Sequence, residues 1–417
     1  MEKKALAKRV LDAGKRDATV LEQEGLRVVI DDEGGAVPEL SAVTDQGGRL
    51  NAHWNPWFRG NAGKPFDKEE CGAFWKAQLL YQLAGNFPCL PSFGGDHTVD
   101  GIEMPAHGWT ANDKWRFAET GADEESGAAW ALSVMESPAK AMPLSFRKFD
   151  MVIPEHPVHY TNIAVKNSGD KDIDIAAAWH NTVGAPFLMP GCRYNGAGEA
   201  WITAPEGGEF DTTSRLAMGR EFSSLTGVPL RSGAAADISV IPGPIGYTDF
   251  VTGAIPQNAE TGWSAVANPF LRMLYLCFFT GPKAAAPDDI ILYFNEVWMQ
   301  YGGRPYTPWA AYEGGTDLTY CLGTENAVSA YAYGLGYSRK AKTLLGNPAT
   351  VTIPAGSTKN LRYGTLFAPY TGTVLDKGVN GVNNGGGGSI IVGADQGYQV
   401  FTADAEFTLL KKLAAAR

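Results

Sequence analysis

The segment MPAHGWTANDKW, residues 104–115, sets His107 between a Pro-Ala pair and a Gly-Trp pair. Proline and glycine around one imidazole predict a loop that fixes the direction of the ring, with flanking indoles as flat walls. A second histidine, His180, ends the strand-like run AAAWH and precedes the turn residues GAPF. A strand-exit histidine beside an aromatic is placed to line a pocket, although a hydrogen-bonded structural histidine has the same signature. The third group, Glu325, is a lone carboxylate in LTYCLGTENAVSAY, with Asp317 its nearest acidic neighbour. Apolar surroundings disfavour its charge and raise its pKa toward that of a general base; a solvent-facing strand-end glutamate is the plain alternative.

The remaining histidines are His53, His97, His156 and His159. The EHPVH spacing of the last two invites a metal reading. In an extended strand, however, residues three apart point to opposite faces, so surface or strand-entry histidines are the better account. No dinucleotide fingerprint occurs, and the Gly-rich GVNNGGGGS (381–389) lacks the Gly-Lys-Ser/Thr of a phosphate loop. It reads as a long surface loop. No metal or organic cofactor is expected.

The elements that must position these groups are short runs rich in β-branched and aromatic residues, such as GLRVVIDDEGG, VHYTNIAVKNSGD, LRMLYLCFFTGP and IILYFNEVW. Turn chemistry separates them, without long helical patterns between, which predicts a mostly antiparallel all-β sandwich or barrel. Leu6, Val10 and Leu11 before Gly14 predict a short N-terminal helix, and a further helix is expected near residues 66–85. The organisation expected is a helical arm over 1–16, one β-domain over 17–410 and a tail over 411–417.

Composition bounds the partners. A net charge of −10 without a Lys/Arg cluster argues against nucleic acid or an anionic membrane. No run of about 18 apolar residues appears, and the charged N-terminus does not read as a secretory signal. The five cysteines, Cys71, Cys89, Cys192, Cys277 and Cys321, show no CxxC spacing. Reduced thiols in a cytoplasmic protein are expected.

Taken together, the motifs are similar to those of the galactose mutarotase-like (aldose 1-epimerase) superfamily. MPAHGW resembles its Pro-x-His-Gly…Trp segment, WHNTVGAPFL its second histidine segment, and TYCLGTENA its late Tyr-x-Leu-Gly-x-Glu strand. LPSFGGD, upstream of His107, resembles its Phe-Gly-Gly segment. The resemblance spans roughly residues 25–410. It implies a β-supersandwich of large twisted antiparallel sheets, with a sugar site in a concave face. Two departures stand out: Asn326 follows Glu325 where many members have proline, and HGWTANDKW offers Asn112 and Lys114 where an arginine is common.

By that resemblance Glu325 is the base at O1 of an aldose, His180 the acid at O5, and His107 a hydrogen-bond partner of the ring oxygen. Trp109 and Trp179 are expected to pack on the pyranose, and Asn112, Asp249, Arg59 and Arg147 are candidate substrate contacts. Besides a structural or protein-interaction β-protein with incidental resemblance, two other readings compete. One is a non-catalytic sugar-binding or sensor protein on the same fold. The other is a polysaccharide lyase or hydrolase; a hydrolase needs paired carboxylates, for which Asp96, Asp100 and Asp249 are the unpaired possibilities.

Overall fold

The computed structural model describes residues 4–11, 16–60, 78–205 and 214–417. Two antiparallel eight-stranded sheets dominate it. The first runs, neighbour by neighbour, through Arg193–Gly196, Thr261–Asn268, Met273–Thr280, Thr358–Pro369, Val158–Asn167, Leu144–Val152, Ala129–Glu136 and Arg116–Ala122. The second runs through Glu221–Phe222, Ala200–Thr203, Tyr247–Ala254, Phe294–Tyr301, Tyr320–Val328, Ala177–His180 and Phe87–Cys89; Thr182–Gly184 also pairs with Tyr320–Val328.

The period of two explains the layers. In MLYLCFFT, residues 273–280, Tyr275, Cys277 and Phe279 enter the core between the sheets, where Val297, Met299 and Leu322 of the second sheet join them. Leu274, Leu276 and Phe278 point the other way, into a cluster closed by Val382, Ile390, Phe401, Phe407 and Leu410. The strand is apolar throughout because both its faces are covered. A third cluster, with Phe87, Phe93, Trp298 and Trp309, lies on the outer face of the second sheet. The expected all-β architecture is therefore a β-sandwich with extra cover on both outer faces.

Three local expectations give way. Leu6–Val10 is a strand, not a helix; it pairs with Ala18–Gln23 at the edge of a five-stranded sheet. A segment this short does not hold a helix alone. Here the neighbouring strand supplies its backbone partners, while Arg9 grips both carboxylate oxygens of Asp32 at 2.7 and 2.8 Å. At the other end, most of the expected tail belongs to a helix, Thr408–Ala415, which buries Leu410 and Leu413. GVNNGGGGS is no loop: it opens a three-stranded sheet, Gly381–Gly386, Ser389–Ala394 and Gly397–Thr402. Its turn places Gly386, Gly387 and Gly388 at φ of 70°, 58° and 77°, where side chains are costly.

Of the expected 66–85 helix, Gln78–Gln82 is helical, and residues 66–77 lie outside the described residues. Cys89, Cys192, Cys277 and Cys321 are buried cysteines in no disulfide, and Cys71 lies outside the described residues. Among the described residues no helix is long and apolar enough to cross a membrane.

Candidate active site

Alternation along the second sheet decides which side chains can meet. On Tyr320–Val328, Leu322 and Val328 enter the core between the sheets, so Cys321, Gly323, Glu325 and Ala327 face outward. The neighbouring strand places Glu296 directly opposite Glu325 and Trp298 opposite Gly323. His180 ends the strand on the other side, after Trp179, which is paired with Asn326. Gly323 leaves room for the carboxylate: a Cβ there would stand 2.6 Å from Glu325 Oε1 and 3.0 Å from the Trp298 Cβ.

His107 reaches the same face from its loop. Its backbone has φ of 60°, an uncommon conformation for a non-glycine residue, and Gly108 follows at φ 78°. Several bonds hold this shape. His107 N donates to Gly94 O at 2.7 Å, Ala106 N to Asp96 Oδ1 at 2.5 Å, and Asn112 Nδ2 to the carbonyls of Ala106 (2.6 Å) and Gly108 (2.7 Å). Thr110 Oγ1 ties the next turn to Pro88 O at 2.7 Å, on the strand beside His180. A Cβ on Gly108 would meet Leu90 O at 2.3 Å, so the loop packs tightly on that strand.

The three groups converge. His180 Nε2 lies 3.0 Å from Glu325 Oε1, and the rings of His107 and His180 are edge to face at 5.0 Å. Phe87 stacks on His180 at 4.3 Å, Phe93 lies 5.1 Å from His107, and Trp298 is 6.1 Å from His180. Burial drives His107 down to about 3, and it drives His180 well below the usual imidazole range, with His107 adding to the effect. Gly94 N–H points at His107 Nδ1 at 3.3 Å, so the neutral ring carries its proton on Nε2. Thr182 Oγ1 sits 3.0 Å from His180 Nδ1, leaving Nε2 toward the carboxylate. A carboxylate oxygen and an imidazole nitrogen thus stand side by side, buried among aromatic side chains, an arrangement suited to moving one proton in and one proton out.

The other expected contacts are placed elsewhere. Trp179 points into the core between the sheets, fully buried against Tyr363 at 5.6 Å, because it is one residue out of phase with His180. Trp109, 3% exposed, also belongs to that core. Asn112 holds the histidine loop. Asp249 is saturated by Ser214, Arg215 N and the Arg215 guanidinium at 2.7 Å. Arg59 is taken by Asp31 and the Gln82 carbonyl. Arg147 is exposed on the first sheet, beside Arg362 and Lys411. Asp96 serves the His107 loop, and Asp100 pairs with Arg339 at 2.6 Å.

The aromatic walls are instead Phe87, Phe93, Trp298 and Trp309, with the Arg304 guanidinium 4.5 Å over the Trp309 ring. Sequence reasoning also passed over Glu296. Its only signal is a glutamate inside the apolar run LYFNEVW, and register alone sets it against Glu325.

No known family profile matches the sequence, and no curated protein matches it. Solved structures do. A provisionally identified aldose 1-epimerase from Klebsiella pneumoniae has a TM-score of 0.61 at 14% identity, over 88% of this chain and 85% of its own. A galactose mutarotase-like protein from Clostridium acetobutylicum gives 0.55 at 12% identity, over 88% and 99% respectively. A galactose mutarotase related enzyme from Lactobacillus acidophilus gives 0.52 at 10% identity, over the same shares. At such identities the likeness is one of fold: this chain folds as a galactose mutarotase-like β-sandwich.

Proposed function

We propose that the chain interconverts the α and β anomers of an aldose by acid–base opening of the sugar ring. The observation that carries this reading is the 3.0 Å approach of His180 Nε2 to Glu325 Oε1. A hemiacetal carbon bears its hydroxyl O1 and its ring oxygen O5 two bonds apart. A base and an acid in mutual contact can therefore each serve one of them.

In the forward step, which starts with the proton of the His180–Glu325 pair on His180 as an imidazolium, Glu325 takes the proton of O1, the C1–O5 bond breaks as C1 becomes a carbonyl, and O5 receives the Nε2 proton, leaving a neutral imidazole and a protonated carboxyl. Rotation about C1–C2 turns the other carbonyl face to O5, and the reverse transfers close the ring. The two groups act as one unit holding a single transferable proton, since burial disfavours an isolated imidazolium and the adjacent carboxylate compensates it. In this reading His107, with its proton on Nε2, donates to the ring oxygen or a neighbouring hydroxyl. His180 and Glu325 are 4% and 2% exposed, so a sugar reaches them only as part of the surrounding wall yields.

General acid–base groups contribute roughly 10²–10⁴-fold each. Polarimetry on freshly dissolved single anomers of common aldoses, glucose and galactose first, should show mutarotation above the spontaneous rate. Glu325→Gln and His180→Asn should each lower that catalysed rate by roughly 10²-fold or more. Full activity in Glu325→Gln would remove the mechanism. Saturable sugar binding with no rate above background in the unmodified chain would leave a binding protein on this fold.

A further inference from the structure

Three neighbouring strands of the first sheet gather cationic and amide side chains on the face turned away from the second sheet. Register puts Arg147, Ala164 and Asn360 in one row across Leu144–Val152, Val158–Asn167 and Thr358–Pro369, and Phe149, Asn162 and Arg362 in the next. Phase fixes the face: Phe149 and Leu366, which alternate with Arg147 and Arg362, belong to the outer apolar cluster. With strands about 4.8 Å apart, the small Ala164 leaves a hollow between the arginine and the asparagine that flank it. The C-terminal helix, Thr408–Ala415, supplies another wall through Lys411, Ala414 and Ala415, and the cavity so lined measures about 280 Å³. Its charges are unevenly answered. Arg362, with its side chain 9% exposed, is gripped by Asp288 at 2.5 Å and by Asp289, and its buried Nε has no hydrogen-bond partner among the described residues. Asp288 also accepts from Asn360 at 3.0 Å, and Asn360 accepts from Asn162 at 3.2 Å. Arg147 and Lys411 have no carboxylate partner among the described residues.

We propose that this cavity binds the phosphate group of a small phosphate monoester, with Arg147 and Lys411 as its charge partners. The chain carries a net charge of −10, yet here it turns two unanswered cations toward one concave spot floored and walled by alanines. A phosphate monoester carries about −1.5 to −2 charges at pH 7, which matches two cations, whereas a single carboxylate would answer only one of them. A guanidinium fork suits two phosphate oxygens at once, and an ammonium on a flexible stem closes on a third. Asp288 does not repel the ligand with a free charge, because Arg362 and Asn360 already engage it. The volume suits a phosphate with a few attached carbons and is too small for a nucleic-acid backbone. His180 and Glu325 face outward from the second sheet, so this cavity lies on the opposite outer face of the sandwich and is independent of the sugar chemistry proposed above.

Isothermal titration calorimetry of the full chain with glycerol 3-phosphate, at low ionic strength and above the second phosphate pKa of about 6, should show saturable binding at one site. Arg147→Ser and Lys411→Ser should each weaken that binding by roughly 10-fold or more, as expected for one lost hydrogen bond to a charged group. Neither side chain is buried, so the melting temperature without ligand should stay unchanged in both variants. Amide hydrogen exchange over residues 408–415 should slow when glycerol 3-phosphate is bound, since the ligand ties the helix to the sheet. Four results would overturn the proposal. No saturable heat at millimolar glycerol 3-phosphate would mean that the cavity takes no phosphate. Unchanged affinity in the double variant would place the phosphate elsewhere. Acetate binding as tightly as the ester would make this a carboxylate site, and displacement of the ester by D-glucose would put it in the sugar site. None of these readouts needs a sugar to turn over, so failure here and failure of the proposed function are separate outcomes.

Discussion

At the scale of single residues, the site depends on what is missing at Gly323 as much as on what is present at Glu325. A methyl group at 323 would stand 2.6 Å from Glu325 Oε1 and 3.0 Å from the Trp298 Cβ. The carboxylate end is the movable party, so it swings aside while the strand stays paired. Gly323→Ala should therefore lower kcat/KM by roughly 10–100-fold, since about 1 Å of misplacement can cost 10²-fold, with the melting temperature nearly unchanged. A large loss of stability with intact kcat/KM would contradict this. Residue type without facing was the weak part of the sequence reading. His107, His180 and Glu325 were singled out because each sits in a motif, and the structure brings them together. Trp179, Trp109, Asp249, Arg59 and Arg147 were credited with sugar contacts for their chemistry, yet Trp179 is turned to the other side of its own strand by one step of phase. Glu296 escaped because it carries no motif, and only its register sets it against Glu325.

At the scale of elements, the loop carrying His107 is held from outside rather than by its own preference. Its positive φ is unfavourable for histidine, and Asn112 offsets this by donating to the Ala106 and Gly108 carbonyls on either side. Asn112→Ala would leave both carbonyls buried with a lost donor, at roughly 1–3 kcal/mol for such a group. The expected outcome is a lower melting temperature together with faster amide hydrogen exchange at residues 106–108, while the strands of the two large sheets keep their protection. Uniformly faster exchange would assign Asn112 to global stability only. Strands were legible here because the alternation of side chains writes the two faces into the sequence, and runs such as MLYLCFFT are apolar because both faces are covered. The terminal pieces were not legible. Residues 6–10 carry a helical spacing of apolar positions, but Leu6 stays 66% exposed, and pairing with Ala18–Gln23 settles the conformation. Four consecutive glycines likewise suggested a loop, when what they supply is a tight turn between two paired strands.

At the scale of the whole molecule, the core between the sheets encloses ionisable groups that the fold must keep in one protonation state. Lys148 and His159 both bond Asp150, at 2.6 and 3.0 Å, with all three about 1% exposed. Close by, His53 bonds Val37 O and lies 3.2 Å from the Tyr275 hydroxyl. Burial drives His53 down to about 3, the same value as His107, so both rings are neutral in the folded chain down to strongly acidic pH. In the unfolded chain they protonate near 6.5. The unfolded state therefore binds more protons between those values, and stability must fall as pH falls through 6.5 toward 3. At pH 5 the loss is about 2 kcal/mol for each ring, out of a total of order 10 kcal/mol. Asp150 has the opposite charge but the same consequence. Its neighbours hold it down at about 2 against its own burial, so its contribution is present above the unfolded value of 3.8 and is lost as pH drops toward 2. Urea unfolding between pH 7.5 and 4.5 should show the free energy decreasing steadily with acidity, and His107→Gln should flatten that slope by roughly one proton's share. A profile level from pH 7 to 5 would mean that the buried rings are reached by water, and the dry surroundings on which the proposed proton exchange depends would be lost with it.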